Sequence, residues 1–203
     1  MFATFVLGVM LAVASDPFKV RLQTSKGSIV LEVHPEWAPR GAERFRKLVE
    51  SGYYDGSRFF RVVPGKWAQF GIAGKSSVAL ARRAETFPDE DPGSFQSNTR
   101  GMVGFAFAQP NGRGTQVYIN LGDNSRLDAQ GFVPFARVVE CMDVVDSLYG
   151  EYGETSGGGI RAGKQDRLFE GGNAWLDAHF PKLDKLERAR VLNNPRKSPR
   201  DDR

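Results

Sequence analysis

Alternation of apolar and polar positions sets in at Phe18. Val20 and Leu22, then Ile29, Leu31 and Val33, share one face on either side of Ser25-Lys26-Gly27, a pattern that predicts a β-hairpin ended by His34-Pro35. The period then lengthens. Ala42, Phe45, Leu48 and Val49 recur at helical spacing behind Pro39, and Gly52 follows as a stop, which predicts an amphipathic helix with a core-facing stripe. Residues 73–100 form a long irregular excursion with a short helix expected over 78–83 and an acidic turn at Asp89-Glu90-Asp91-Pro92. Beyond it, strands are expected over 102–108, 116–121 and 135–139, with the turn Gln109-Pro110-Asn111-Gly112 between the first two. Residues 142–149 have helical spacing. Asn173 is placed to cap a helix carrying Trp175, Leu176 and Phe180 that Pro181 ends, and 186–192 closes the pattern as a strand. About eight short strands and two or three helices make a mainly β domain, and a closed antiparallel barrel is preferred to a sandwich because closure removes the edges.

One stretch breaks its own pattern. In Phe59-Phe60-Arg61-Val62-Val63-Pro64-Gly65 an arginine stands inside an apolar run, and Gln69 stands inside the next one. A guanidinium is always charged and offers five donors in a rigid plane, so an apolar setting without a partner is costly. Either Arg61 snorkels to solvent at a sheet edge, or it is held for use beside a pocket.

Composition narrows the choices of function. A chain of 203 residues that is 40% hydrophobic suits one globular domain, and 15 phenylalanines among 23 glycines suit a Phe-rich interior linked by turns. The net charge is +4, of which Arg196, Lys197, Arg200 and Arg203 against Asp201 and Asp202 place +2 in residues 193–203. The remaining +2 is no footprint for nucleic acid, since a basic stripe interleaved with stacking aromatics is missing. A single cysteine, Cys141, excludes an internal disulfide and reads as a small apolar residue. With only His34 and His179 to add, no metal site is expected. Gly157-Gly158-Gly159 has neither a strand before it nor Gly-Lys-Ser/Thr after it, so it reads as a surface loop and not as a phosphate cradle.

The ends differ from the body. Residues 1–15 carry no charge and run to Ala12-Val13-Ala14-Ser15, which reads as a cleaved secretory signal, with an uncleaved anchor or an amphipathic cap as the alternatives. The stretch is too short for a comfortable membrane span, so no stable span is expected. The organisation is therefore a signal over 1–15, a domain over 16–192 and a basic disordered tail over 193–203.

Three blocks in order carry a resemblance that covers residues 19–192. Phe59-Phe60-Arg61-Val62-Val63-Pro64-Gly65 followed by Gln69 resembles the signature Phe-His-Arg-Ile/Val-Ile/Val-Pro-Gly followed by Gln of the cyclophilin-type peptidyl-prolyl cis-trans isomerases. Phe105-Ala106-Phe107-Ala108 with Thr115-Gln116-Val117-Tyr118-Ile119, and then Leu127-Asp128 with Phe135 before a valine-rich strand, resemble the second and third blocks of that family. The resemblance implies a closed eight-stranded antiparallel β-barrel capped by two α-helices. It also implies an isomerase of X-Pro bonds that assists folding, acts on proline-containing unfolded or extended polypeptides as a monomer in the secretory pathway, and needs no metal or cofactor. By the same resemblance Arg61, Gln69 and Gln116 are catalytic. Tyr118 floors the proline socket, Leu127 walls it, and Trp67, Ala106, Phe107, Ala108 and Phe132 complete the substrate groove.

Departures from the family pattern are concentrated at the socket. Lys66-Trp67 replaces Phe-Met, Phe60 replaces His, Phe107 replaces Asn, Ile72 replaces Asp, and Arg126 replaces the Trp that contacts cyclosporin. Either Lys66 folds outward while Trp67 covers the gap, or the socket is damaged and the barrel is a proline-segment binding module. An added residue after Leu127 leaves Phe132 and Gly131 as the choices for the position where others place His.

Overall fold

The computed structural model describes residues 16–90, 96–152 and 165–192. The signal read over 1–15, the glycine loop at 157–159 and the tail over 193–203 lie outside them. Strand β1 (Phe18–Thr24) pairs antiparallel with β2 (Gly27–Val33) across the expected turn, with Val20 opposite Leu31 and Leu22 opposite Ile29. Helix α1 (Pro39–Glu50) starts on its proline and buries Ala42, Phe45, Leu48 and Val49, the stripe read from spacing. Ala38 has no side chain with which to cap it. Glu90, distant in sequence, supplies that function by accepting from the Arg40 and Gly41 backbone N–H groups, the latter at 2.5 Å.

Seven further strands complete the sheet. They are β3 (Ser57–Arg58), β4 (Arg61–Val63), β5 (Trp67–Phe70), β6 (Met102–Phe105), β7 (Val117–Asn120), β8 (Pro134–Glu140) and β9 (Lys185–Leu192). Their order is β3-β9-β1-β2-β8-β6-β7-β5-β4, and every pairing is antiparallel. The expected closed eight-stranded barrel is thus corrected: among the described residues the sheet has nine strands and curls into an open half-barrel. The reason lies in one stretch of chain. Residues 57–63 form both ends of the sheet, because β3 pairs only with β9 and β4 only with β5. Between them, the buried Phe59 and Phe60 turn the backbone from one ladder to the other. A single sequence segment therefore counts as two short edge strands, and the seam is spanned by covalent chain instead of a hydrogen-bonded ladder.

Among the described residues the helices outnumber the capping pair that the resemblance implied. Besides α1 there are α2 (Ser76–Arg82), α3 (Met142–Asp146) and α4 (Asp166–His179), together with a 3-10 turn over Ser125–Gln130. Helix α4 begins seven residues before the predicted cap at Asn173 because it is two helical pieces joined at Gly172, whose φ of 56° is left-handed. A β-carbon on Gly172 would meet the Gly74 carbonyl oxygen at 2.5 Å, so only glycine allows this approach. Asn173 then starts the second piece and ties it down, its backbone N–H reaching Gly74 at 2.8 Å and its amide reaching Gly56 at 2.7 Å.

The Phe-rich interior forms one connected aromatic chain. Phe105 touches Phe135 at 5.0 Å, Phe135 touches Phe45 at 5.0 Å, and the contacts run on through Tyr54 and Phe70 to Phe59. These rings are all buried, and each such pair adds about 0.5–1.5 kcal/mol beyond its area burial. Cys141, read as a small apolar residue, is exposed at the head of α3 with φ 60°. No helix among the described residues is long and apolar enough to cross a membrane.

Candidate active site

Pleating sorts the residues of β4, β5 and β7 onto two faces. Ala68, Phe70, Val117 and Ile119 turn into the core, while Arg61 faces Gln69, Gln69 faces Tyr118 and Trp67 lies two residues before Gln69 on the same side. The result is a groove of about 290 Å³ whose lining includes all ten residues expected from sequence: Arg61, Trp67, Gln69, Ala106, Phe107, Ala108, Gln116, Tyr118, Leu127 and Phe132. Gly112 and Gln165 also line it, and neither was expected. Phe132 and not Gly131 takes the uncertain place. Lys66 is exposed and is not one of the lining residues, so it leaves the socket open.

The polar wall is a directed chain. Arg61 Nη1 donates to Gln69 Oε1 at 3.1 Å, and Gln69 Nε2 donates to Gln116 Oε1 at 2.9 Å. Arg61 is half-buried, and its guanidinium lies 4.8 Å from the centre of the Trp67 ring, a cation–π distance. The charge is thus presented on the groove side between an amide and an indole. It does not snorkel away.

The apolar floor is fixed from behind. Tyr118 is buried, and its hydroxyl donates to Asn98 Oδ1 at 2.6 Å. Asn98 is fully buried and its Nδ2 donates to Asp128 Oδ1 and to the Phe132 carbonyl, both at 2.7 Å. One side chain therefore joins the floor to the 3-10 turn that carries Leu127 and to the segment that carries Phe132. Burial pushes the Tyr118 hydroxyl well above the usual tyrosine value, with the nearby Arg113 charge pulling the other way, so the phenol stays protonated and donating.

Arg113 supports the far wall. Phe107 and Phe132 pack with tilted rings whose centres are 4.3 Å apart, and the Arg113 guanidinium covers the Phe107 ring at 4.0 Å. Its donors go to Asp89 and to the Gly131 carbonyl, which accounts for a buried cation there. Burial lowers its pKa from the usual arginine value. Asn98, Arg113 and Gln165 escaped the sequence reading because each acts through a partner more than ten residues away. For Asn98 the one local signal was a polar residue inside an irregular excursion, which solvent-facing loops share.

The arrangement offers a fixed cation beside an apolar socket, and among the described residues the lining contains no carboxylate, imidazole or thiol. Among the described residues no cluster of His, Cys, Asp or Glu is grouped to hold a metal. The chemistry within reach is hydrogen-bond donation to a group seated over Tyr118.

Comparison with known proteins agrees with this geometry. Residues 19–164 match the model of a family described as cyclophilin type peptidyl-prolyl cis-trans isomerase/CLD. The chain is 33% identical over 160 residues to a peptidyl-prolyl cis-trans isomerase-like 1 of Rhizopus delemar, covering 76% of this chain and 88% of that one. It is 34% identical over 151 residues to a probable peptidyl-prolyl cis-trans isomerase of Brucella abortus, covering 69% and 76%. Among solved structures, a cyclophilin type isomerase of Cryptosporidium parvum superposes with a TM-score of 0.63 at 18% identity, covering 89% of this chain and 100% of that one. The same Cryptosporidium protein, crystallised in the presence of the dipeptide Ala-Pro, also gives 0.63, at 19% identity and with 87% and 99% covered.

Proposed function

The chain belongs to the cyclophilin-type peptidyl-prolyl cis-trans isomerase family, and from that premise we propose that Arg61 is the group that accelerates rotation about X-Pro bonds here. Rotation about an X-Pro amide faces a barrier of about 20 kcal/mol because the nitrogen lone pair is conjugated with the carbonyl. In the twisted state conjugation is lost and the proline nitrogen becomes an acceptor. A donor aimed at that nitrogen stabilises the twisted state more than either planar one, which is the differential binding that catalysis requires. No covalent bond forms or breaks.

In this reading the proline ring seats on Tyr118 against Leu127 and Phe132. Gln69 holds the guanidinium in place, Gln116 holds the substrate backbone, and Trp67, Ala106, Phe107 and Ala108 border the residues next to proline. The observation that carries it is the hydrogen bond from Arg61 to Gln69 on the wall of a groove floored by Tyr118. The substrates are proline-containing unfolded or extended polypeptides whose folding the enzyme assists as a monomer. The reading of residues 1–15 as a cleaved signal assigns it to the secretory pathway, which the mass of the mature N terminus tests.

NMR exchange between the cis and trans forms of a blocked Ala-Ala-Pro-Phe peptide tests the catalytic assignment. If Arg61 contributes as an oxyanion-type donor does, Arg61→Ala loses about 10²- to 10³-fold in kcat. Equal rates for both proteins would remove the enzymatic role of Arg61 and leave a proline-segment binder. That second reading depended on Lys66 obstructing the socket, and an exposed Lys66 outside the lining gives it no support.

A further inference from the structure

Gln165 is the first residue past the family match, and it is the N-cap of α4. Its backbone carbonyl accepts from Leu168 and Phe169, both at 3.0 Å, which anchors it to the start of the helix. Its side chain makes no cap hydrogen bond. Instead it crosses to the groove wall and pairs with Gln116 in both directions: Gln116 Nε2 donates to Gln165 Oε1 at 2.7 Å, and Gln165 Nε2 donates to Gln116 Oε1 at 2.8 Å. We propose that Gln165 is a positioning residue of this isomerase, fixing the Gln116 amide so that its second N–H faces the substrate backbone.

The direction of the hydrogen bonds follows from Arg61 alone. Arginine can only donate, so the Gln69 atom facing it must be oxygen, and Gln69 must present nitrogen to Gln116. Gln116 therefore turns oxygen toward Gln69 and nitrogen toward Gln165. Its Oε1 has two lone pairs and both are taken, by Gln69 and by Gln165. Its Nε2 has two hydrogens, of which one goes to Gln165 and one is left for the groove that Gln116 lines. Without Gln165 only a single hydrogen bond holds the Gln116 side chain, and the amide is free to turn about its last torsion, which is broad for glutamine.

Helix α4 is itself immobilised, so the pin is rigid. Leu168, Phe169 and Leu176 are buried, Ser76 Oγ donates to the Phe169 carbonyl at 2.9 Å, and Asn173 binds Gly74 and Gly56 in the turns beside α2 and β3. A segment outside the family match thereby reaches into the family's groove.

The inference rests on the catalytic reading above for the role of Gln116, and its test separates the two. Gln116 meets substrate backbone and not the rotating nitrogen, so its contact is equal in planar and twisted states and its loss appears in KM. The peptide used above is titrated by NMR against the full chain carrying Gln165→Leu, Gln165→Glu, Gln116→Ala and the double variant Gln116→Ala/Gln165→Leu. Gln165→Leu is expected to raise KM and the peptide dissociation constant about three- to tenfold, while kcat stays within about twofold. Gln165→Glu keeps the acceptor but not the donor and falls between wild type and Gln165→Leu. In the Gln116→Ala background Gln165→Leu has no further effect, because nothing remains to be positioned. An unchanged KM, or the same loss in both backgrounds, overturns the proposal, the second outcome marking a purely structural helix cap. If wild type and Arg61→Ala turned over peptide equally, the catalytic reading would fall while the dissociation constants still decided the role of Gln165.

Discussion

Gly104 is the cross-strand partner of Tyr118, and a β-carbon on Gly104 would lie 2.5 Å from the Tyr118 hydroxyl oxygen and 2.7 Å from the ring carbon that bears it. The tyrosine can lie flat as a socket floor only over a residue with no side chain. Gly104→Ala is therefore expected to lift the ring, cost about 1–3 kcal/mol as an overpacked site, and raise the KM for proline peptides. Thermal unfolding and peptide kinetics on the purified variant check this. A variant with wild-type KM would show that the floor does not depend on that contact.

Asn98 holds the floor and the facing wall together, and a double-mutant cycle isolates its share. Asn98→Leu leaves the buried Tyr118 hydroxyl without its 2.6 Å partner and removes one of the donors to Asp128, with an expected loss of roughly 2–4 kcal/mol. Tyr118→Phe alone costs about 1 kcal/mol, and in the Asn98→Leu background it becomes neutral or stabilising. Urea unfolding of the four proteins measures the coupling. The same Tyr118→Phe penalty in both backgrounds would break the assignment.

Stability in acid should follow Asp55. Burial on its own would raise its carboxyl, but hydrogen bonds from the Arg190 side chain at 2.9 Å and the Ala189 backbone at 3.0 Å, with the charges of Arg190 and Arg188, hold it below the usual aspartate value. A group depressed on folding stabilises fully above its unfolded value, about pH 4, and loses that contribution as pH falls through the folded value. Asp55→Asn should thus lower Tm clearly at pH 7 and much less at about pH 3. A Tm difference that does not shrink in acid would rule out this linkage.

Cyclosporin should bind weakly. The family's contact Trp is replaced by Arg126, which is exposed with its guanidinium 6.0 Å from the Trp67 ring centre, so a charged group stands where an apolar macrocycle would be received. Isothermal calorimetry is expected to give a dissociation constant weaker than micromolar, and a submicromolar value would contradict it.

Local rules were legible in the sequence, and distant partners were not. The turn at Ser25-Lys26, the proline start of α1 and the strand positions of Arg61, Gln69 and Tyr118 follow from periods of 2 and 3.6, which any stretch of chain reveals by itself. The first half of α4 was hidden because Gly171-Gly172 looks like a helix stop, whereas here Gly172 allows a kink that seats against Gly74. The barrel count went astray at Phe59-Phe60, where the pattern stays apolar while the hydrogen-bond partner changes from β9 to β5. Strand 102–108 ended early at Phe105, so Ala106 to Ala108 border the groove as irregular chain in place of pairing in a ladder. The residues named for the groove line one cavity together, yet its supports Asn98, Arg113 and Gln165 carry no period at all.

The seam at residues 57–63 also ties the assembly of the groove to a strand distant in sequence. Among the described residues strand β3 pairs only with β9, so the segment leading into Arg61 completes its ladder only when residues 185–192 are present. A nascent chain that carries every groove residue from Arg61 to Phe132 still lacks the strand that fixes the start of that segment, together with Gln165 and the helix behind it. Strand β9 also pairs with β1, so it ties the start of the Arg61 segment to the first hairpin through contacts between stretches far apart in sequence.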